Sequence, residues 1–387
     1  MDYPSLILKS GRDRAVLNRH PWVFSGAVKT HPKASLGGVV AVRNNAGELL
    51  AYGHYAPEST LICRLFYFGK QAQSIDEAFW QHKLEAAWAY RQQVLNLDET
   101  DGFRLVHAEG DGLPGVVIDL YAKAASVQLR TAGARAIMPV IQEFLEKTFQ
   151  VEAIFLRTDK KEDGVGKWIL GEAGERTFRE NGREFFVDIE KGQKTGFFLD
   201  QRDNRNLLQR YAKGRKVLNA FAYSGAFSVF ALQGDAKEVH SVDISASATE
   251  LAQRNAALNF GDDSRHHAVK ADCFKYLKDL EPGLFDLIIL DPPAFTKHIS
   301  TVKKAARGYK EINLKAIQKV ASGGFIFTYS CSQHISRDLF RKIVFGAAAD
   351  AKREVRVVCQ MGQSPDHPAD LFHPEGEYLK GLLLQVQ

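Results

Sequence analysis

The sequence predicts an α/β protein with a doubly wound domain in its C-terminal half, preceded by a small β-barrel and a central α+β segment. After residue 205, nearly continuous apolar runs such as EVHSVD, FDLIILD and GFIFTY alternate with helix-like stretches. A parallel sheet covered by helices on both faces gives this alternation. Earlier, short strand-like runs fill the first 70 positions, and mixed patterns continue to about 190. We therefore expect three parts, with boundaries 1–70, 71–190 and 191–387.

Length and composition bound the class of protein. A chain of 387 residues exceeds one ordinary domain, and its 45% hydrophobic and 25% charged residues are typical of globular proteins. No run approaches the roughly 18 apolar residues of a membrane span, and the first residues lack the pattern of a secretory signal. The four cysteines show no paired metal-ligand spacing, so we expect a reduced, cytoplasmic protein without a metal centre.

Individual elements follow from local patterns. The barrel strands are expected at GGVVAVRN, ELLAYGHYA and TLICRLFYF, because turn residues separate these runs. In the central segment, helices are expected at SIDEAFWQHKLEAAWAYRQQVL and ARAIMPVIQEFLEKTF. The chain ends with the strand-like runs EVRVVCQ and EYLKGLLLQV, without a full helix between them. An antiparallel final pair of this kind distinguishes methyltransferase sheets from plain dinucleotide-binding sheets.

The net charge of +5 is concentrated at the N-terminus. Residues 1–70 contain nine Lys or Arg and four acids, so this segment carries the whole excess. Basic and aromatic residues interleave in RHPWVFSG, which suits RNA because cations pair with phosphates and rings stack on bases. We expect Arg12, Arg14 and Arg19 to contact phosphate, and Trp22 and Phe24 to fill the barrel core. A solvated basic face is the alternative.

The turn after the first strand of the C-terminal domain is the first candidate ligand site. In VLNAFAYSGAFS, which includes Asn219 and Phe221, a strand leads through small residues into a helix. Only Gly225 of the glycine fingerprint is present, so a dinucleotide pyrophosphate lacks its usual cradle. S-adenosylmethionine (SAM) has no phosphates and does not need that cradle.

Two carboxylates follow the next strands. Asp243 ends the strand EVHSV, where it could accept hydrogen bonds from both ribose hydroxyls of an adenosine. Asp272 follows HAVKA and could face the adenine amino group. Helix capping is the alternative for both residues, although Ser245 could cap the helix after Asp243.

The turn LDPPAF is more specific. Asp291 follows the buried strand FDLIIL, at the edge where open α/β sheets bind ligands. Two prolines fix φ and stiffen the turn that follows. At the end of the fourth strand of such a series, this turn indicates amino-, ring- or base-methyl transfer.

Cys331, in FTYSCS after the fifth strand, is a candidate nucleophile. Carbon 5 of a pyrimidine is a poor nucleophile, and a thiolate adding to carbon 6 creates an enamine that can attack a methyl donor. The alternative is a small buried hydrophobe. We expect that alternative for Cys63 and Cys359, which lie in apolar runs, whereas Cys273 is ambiguous.

The segment KTGFFLDQRDNR joins the middle segment to the C-terminal domain. Gly196 permits a tight turn, and Asp203 opens a helix. This segment could line the amino-acid end of the cofactor, but a plain polar linker is the interpretation we prefer from the residues alone.

Taken together, these motifs identify a resemblance. The chain resembles the bacterial 23S ribosomal RNA cytosine-5 methyltransferase I family, nearly from end to end. The stretches that carry the likeness are KTGFFLDQRDNR, VLNAFAYSGAFS, LDPPAF, ARGYKEINLKAIQ, SCSQ and DHP…HPEGEYLKG. The resemblance implies an N-terminal PUA-like (pseudouridine synthase and archaeosine transglycosylase) domain and a class I, Rossmann-like methyltransferase domain. It also implies SAM as cofactor, ribosomal RNA as partner and a homodimer.

The resemblance assigns roles to residues at matching positions. Cys331 would be the nucleophile, and Asp291 would hold or protonate the pyrimidine ring nitrogen. Gln201 and Arg202 would lie near the amino-acid end of the cofactor. The remaining cofactor-binding positions would be Asn219, Phe221, Gly225, Asp243 and Asp272. The better-known RNA cytosine-5 enzymes have a cysteine after the Asp-Pro pair, which this chain lacks, so another base must remove the carbon 5 proton.

Other functions remain open at this level. The same fold could methylate uracil carbon 5 or a guanine nitrogen, with Phe295 stacking on the base. A non-catalytic RNA-binding protein of ribosome assembly is a candidate from a different class, although Asp243, Asp291 and Cys331 are intact. A nicotinamide enzyme is the weakest alternative, because the glycine fingerprint is missing.

Overall fold

The computed structural model describes residues 3–158, 165–296 and 298–387 and divides into two units. The first unit contains Met1–Arg176, Val187–Phe197 and Pro365–Gly376. The second contains Thr177–Phe186, Phe198–Ser364 and Glu377–Gln387. The boundaries at residues 70 and 190 stay a prediction.

The N-terminal part of the first unit is a six-stranded sheet with the order β2-β6-β5-β4-β1-β3. Its pairs are antiparallel apart from β1 with β4. Leu6 and Leu8 are fully buried in its core, and the three predicted strands correspond to β4, β5 and β6. The elements are β1 (Ser5–Leu8), α1 (Arg14–Leu17), β2 (Trp22–Phe24), β3 (Val28–Thr30), β4 (Val39–Arg43), β5 (Leu49–Tyr55) and β6 (Leu61–Phe68).

The prediction that Trp22 and Phe24 fill this core is wrong. Side chains alternate between the two faces of a strand, and β2 turns Val23 inward, leaving Phe24 51% exposed. Trp22 is half-buried, and its indole nitrogen donates to Glu109 Oε1 at 2.9 Å. The two rings are therefore available at or near the surface of the first unit.

The central part of the first unit is a five-stranded sheet with the order β11-β10-β9-β8-β7, packed against helices. One predicted helix is divided at Ile137, because Pro139 lacks the N–H group that a continuing helix needs. The elements are α2 (Glu77–Val94), β7 (Gly102–His107), β8 (Val116–Tyr121), β9 (Ala124–Leu129), α3 (Ala132–Ala136), α4 (Met138–Phe149), β10 (Ala153–Arg157) and β11 (Gly166–Leu170).

The second unit contains a seven-stranded sheet with the order β16-β15-β14-β17-β18-β20-β19. All neighbours are parallel except β20, which is antiparallel to both β18 and β19. The predicted doubly wound sheet with an antiparallel final pair is confirmed. Its strands are β14 (Lys216–Ala220), β15 (Glu238–Asp243), β16 (His266–Lys270), β17 (Leu287–Leu290), β18 (Gly324–Ser330), β19 (Val355–Met361) and β20 (Lys380–Val386).

Helices cover both faces of this sheet. Successive residues of β17 are completely buried on opposite faces: Ile288 and Leu290 belong to one apolar cluster, Leu287 and Ile289 to the other. The helices are α5 (Arg202–Ala212), α6 (Ala226–Gln233), α7 (Ala246–Phe260), α8 (Cys273–Asp279), α9 (Val302–Lys319) and α10 (Arg337–Ala351). Among the described residues, no helix combines the length and the apolar character needed to cross a membrane.

A two-stranded ribbon, β12 (Arg176–Glu180) and β13 (Arg183–Val187), lies mostly in the second unit. Glu180 and Arg205, both buried, connect it to α5 by two hydrogen bonds of 2.6 Å. Asn255 of α7 accepts from the backbone N–H of Phe186 at 2.9 Å. The ribbon therefore fixes the N-terminal turn of α5, which carries Arg202.

Candidate active site

The carboxyl ends of four parallel strands form one edge of the second unit's sheet. Ala220 at the end of β14 is in register with Val242 of β15 and Leu290 of β17, and Leu290 is in register with Thr328 of β18. β15 ends at Asp243, and the chain segments that follow the other three strands carry Phe221, Asp291 and Cys331. Sheet topology thus brings together positions that are far apart in the sequence.

The loop after β14 packs closely on α7 and contains several residues with positive φ. Gly225 has φ +69°, and a Cβ there would lie 2.6 Å from the Cβ of Ala252 in α7. Phe221 and Tyr223 also have positive φ, at 62° and 45°, which is uncommon for bulky residues. The backbone N–H of Phe221 donates to Cys273 Sγ at 3.2 Å. Cys273, ambiguous from the sequence, is therefore a buried support for this loop.

Asn219 is buried at the edge and presents an unpaired acceptor. Its Nδ2 donates to Ser228 Oγ at 2.9 Å, whereas no partner for Oδ1 exists among the described residues. The Ser228 hydroxyl continues to Ser241 at 2.6 Å, which fixes the orientation of the amide. A buried acceptor without a partner is costly, so a ligand that donates a hydrogen bond fits here.

Asp243 supports two backbone segments at the tip of β15. Its Oδ2 accepts from the N–H of Tyr223 at 3.0 Å, and its Oδ1 accepts from the N–H of Ser245 at 2.9 Å. Ser245 caps α7 by accepting from Ala248 N, so Asp243 itself is not the cap. A carboxylate has about four acceptor positions, which leaves capacity for ribose hydroxyls.

Asp272 is exposed and caps α8, accepting from the N–H of Lys275 at 2.9 Å. This capping is the alternative that the sequence left open for it. A role at the adenine of a cofactor stays a prediction.

Gln201 and Arg202 belong to the second unit and are both 2% exposed. Gln201 lies in the 3₁₀ turn Leu199–Gln201 and donates through Nε2 to Asp291 Oδ1 at 3.0 Å. Its Oε1 accepts from Asn204 at 2.5 Å. Arg202 begins α5, with Nε 3.5 Å from Asp203 Oδ1. The preferred interpretation of a plain polar linker is therefore wrong for Gln201, since it contacts the Asp-Pro-Pro turn.

Cys331 is half-buried and faces the same turn. Its Sγ lies 3.9 Å from the carbonyl oxygen of Pro292, the residue after Asp291. The hydroxyl of Tyr309 pairs with Ser332 Oγ at 2.9 Å and holds the segment that carries the thiol. Cys331 and the Asp-Pro-Pro turn therefore share one side of the edge.

The other three cysteines have different environments. Cys63 is completely buried, as predicted, and burial raises its pKa well above the usual range. Burial raises the pKa of Cys273 to about 12, and it also raises the pKa of half-buried Cys359. These thiols are therefore protonated at neutral pH, which suits structural rather than nucleophilic roles.

Lys380 is a residue that the sequence did not single out. It is 4% exposed, and its Nζ donates to the carbonyl oxygens of Ser332 and Tyr378, each at 2.7 Å. Burial lowers the pKa of Lys380 to about 8, against the opposing effect of a charged Cys331. A lysine at the start of the apolar run LKGLLLQV was the available signal.

The structure also brings together three potential metal ligands, Glu238, His240 and His267, within 4.8 Å of one another. They lie at the amino end of the strands, opposite the edge that carries Cys331. Glu238 is satisfied without an ion, because it pairs with Lys216 at 2.8 Å and with His240 at 2.7 Å. We assign no metal to this group.

Arg12, Arg14 and Arg19, the predicted phosphate contacts, are exposed residues of the first unit. The guanidinium of Arg19 lies 5.5 Å from the ring centre of Phe68 and 5.9 Å from that of Phe372. Phe68 is half-buried and Phe372 is exposed. A cation beside such rings is compatible with RNA contact, and that role stays a prediction.

Family models match two regions of the chain. One for S-adenosylmethionine-dependent methyltransferases matches residues 108–379, and one for PUA-like domains matches residues 6–68. Among solved structures, a Streptococcus mutans protein described as a SAM-dependent methyltransferase has a TM-score of 0.83 at 21% identity, covering 99% of this chain and 100% of its own. A methyltransferase solved in complex with S-adenosylhomocysteine (SAH), the product of SAM, has a TM-score of 0.85 at 22% identity, with the same coverage. These two structures support the fold.

Sequence relatives are closer. The ribosomal RNA large subunit methyltransferase I of Alteromonas mediterranea is 41% identical, covering 98% of both chains. The protein of the same name from Salmonella gallinarum is 41% identical over 99% of this chain and 98% of its own. The chain therefore belongs to the ribosomal RNA large subunit methyltransferase I family of SAM-dependent methyltransferases.

Proposed function

We propose that this protein methylates carbon 5 of a cytosine in large-subunit ribosomal RNA through a covalent adduct with Cys331. The observation that carries the proposal is the half-buried thiol facing the Asp-Pro-Pro turn, 3.9 Å from the Pro292 carbonyl. The names of the relatives support ribosomal RNA as the substrate. A thiol at this edge is what carbon methylation requires and nitrogen methylation does not.

The cofactor SAM supplies an electrophilic methyl group at this edge. Asn219 fits it because the buried Oδ1 needs a donor. Gly225 shapes the loop that we place beside the cofactor, because its missing side chain lets the loop pack closely on Ala252 of α7. Phe221 lies in the same loop, and Asp243 retains acceptor capacity for ribose. We assign the remaining positions near the cofactor to Gln201, Arg202 and Asp272.

The chain's own groups perform the other steps. The Cys331 thiolate adds to carbon 6 of the base, and the electron pair moves to carbon 5, which thereby becomes nucleophilic enough to accept a methyl group. Asp291, held by Gln201 at 3.0 Å, hydrogen-bonds or protonates the ring nitrogen as the adduct forms. Loss of the proton from carbon 5 expels the thiolate and restores the ring. The residue after Pro292 is Pro293, so a base other than cysteine takes that proton.

The test is covalent trapping on ribosomal RNA carrying 5-fluorocytosine, in the presence of SAM. Fluorine at carbon 5 cannot leave as a proton, so the adduct accumulates and migrates as a protein–RNA band. We expect the band with the natural protein and with Cys359→Ala, and its loss with Cys331→Ala. Methylation that survives Cys331→Ala would instead indicate a nitrogen target, and product analysis separates cytosine from uracil.

We further propose that Arg12, Arg14 and Arg19 contribute phosphate contacts, that the protein forms a homodimer, and that it acts in the cytoplasm. The basic N-terminal segment supports the first, since polyanions attract clustered cations. Resemblance to the family supports the second, and a ribosomal substrate supports the third.

A further inference from the structure

Lys380 is a buried cation that has no carboxylate partner within the described part of the chain. Only 4% of the residue is exposed, and the two hydrogen bonds of its ammonium group go to neutral carbonyl oxygens. An unpaired buried ammonium is costly. An anion that forms nearby during the reaction would offset this cost.

The sheet places this ammonium beside the segment that carries Cys331. Lys380 is the first residue of β20 and lies opposite Ser330, the last residue of β18, in the antiparallel register. Cys331 follows immediately, and the carbonyl oxygen that Lys380 holds at 2.7 Å belongs to Ser332. The ammonium is thus fixed to the main chain at the residue that follows Cys331, and Lys380 itself lies opposite the residue that precedes it.

Other charged or titratable groups face this position from each neighbouring element. Asp291 follows the end of β17, and Tyr309 belongs to α9. Burial raises the pKa of Tyr309, and a charged Cys331 raises it further. Arg337 comes from α10, but it is exposed and pairs with Glu377 at 3.1 Å. The carboxylate of Asp291 disfavours a thiolate at Cys331, so a thiolate there requires a nearby fixed cation to stabilise it.

We propose that Lys380 is a positioning residue that acts through Cys331, as the fixed counter-ion of its thiolate. At neutral pH, which is below the pKa of about 8 of Lys380, the thiol proton passes to solvent, and the ammonium keeps its three protons and its two carbonyl contacts. This role rests on the proposed function for its catalytic meaning, because only there is the thiolate the nucleophile. The electrostatic effect itself is measurable without any methyl transfer.

The test is the pH dependence of Cys331 alkylation by iodoacetamide in the full-length protein, read by mass spectrometry of the Cys331 peptide. The Cys359 peptide is the internal reference. Lys380→Gln removes the charge but keeps an N–H donor for a carbonyl, and Lys380→Arg keeps the charge. Lys342→Gln, at an exposed lysine of α10, is the matched control.

In the natural protein, we expect the alkylation midpoint below the ordinary thiol value of roughly 8.5. Lys380→Gln should raise it by about one pH unit, which lowers the rate near pH 7 about tenfold. Lys380→Arg and Lys342→Gln should leave it unchanged. Binding of SAH by calorimetry checks that each variant is folded.

Three results would overturn the proposal. One is an unchanged midpoint in a folded Lys380→Gln variant, and another is an equal shift in Lys380→Arg, which would indicate shape rather than charge. The third is a midpoint of 8.5 or higher in the natural protein, which needs no variant at all. Failure of the proposed function is a separate result, because it would appear as methylation by Cys331→Ala with the alkylation shift intact.

Discussion

Gly225, in the loop between β14 and α6, should not tolerate a side chain. Its φ is +69°, and an added Cβ would lie 2.6 Å from the Cβ and 2.8 Å from the Cα of Ala252. Alanine in a left-handed conformation costs about 1–2 kcal/mol. The clash adds about 1–3 kcal/mol, because a helix backbone and its Cβ cannot rotate away. Gly225→Ala should therefore lower the free energy of unfolding by about 2–5 kcal/mol.

Gly214→Ala is the matched control, since Gly214 has φ +70° with no atom within 4 Å of the added Cβ. Gly214→Ala should lower the free energy of unfolding only by the cost of alanine in a left-handed conformation, about 1–2 kcal/mol. Urea unfolding followed by circular dichroism measures both changes, and calorimetry measures SAH affinity. We expect Gly225→Ala to weaken SAH binding at least tenfold, because the start of α6 moves with the loop, whereas Gly214→Ala should not. Equal destabilisation of the two variants, or unchanged SAH affinity in Gly225→Ala, would refute this reasoning.

Two further predictions concern stability. Glu180→Gln should lower the free energy of unfolding in urea by about 3–5 kcal/mol, because it leaves the buried guanidinium of Arg205 without its carboxylate. Asp338→Asn breaks the exposed pair with Lys342 and should lower it by less than about 1 kcal/mol. Similar losses in the two variants would contradict the prediction. Burial lowers the pKa of His54 to about 4, so the unfolded chain binds a proton that the folded one refuses, and about 3 kcal/mol of stability should be lost as pH falls from 6.5 to 4. Fluorescence of the four tryptophans, all in the first unit, monitors this loss, and His54→Phe should reduce it.

Much of the second unit could be predicted because its strands are parallel. The carboxyl ends of parallel neighbours meet at one edge, so the polar residue after each apolar run is a site candidate without any knowledge of distances. This rule selects Asp243, Asp291 and Cys331, and the structure places all three at the carboxyl ends of strands of one sheet. The missing glycine fingerprint favoured SAM over a dinucleotide, and the match to a model for SAM-dependent methyltransferases supports SAM.

Local sequence rules failed where neighbouring elements override them. Phe221 and Tyr223 have positive φ although such residues rarely adopt it. Their backbone N–H groups donate to Cys273 at the start of α8 and to Asp243 at the end of β15. The sequence favours a polar linker at Gln201, because its hydrogen-bond partner, Asp291, is 90 positions away. Each of these features depends on a contact between distant segments, which periodicity does not encode.

Lys380 is another residue whose contacts depend on a distant segment and could not be predicted from the sequence. Parallel strands place like ends together, but the antiparallel strand β20 begins at the edge where β18 ends, so its first residue meets the last residue of β18. A register shift of one residue would turn the side chain to the other face of the sheet. From the sequence, a lysine before GLLLQV is equally compatible with a solvated strand end. The register with Ser330 makes it a neighbour of Cys331, which is why the chemistry of this edge depends on the one strand whose direction is reversed.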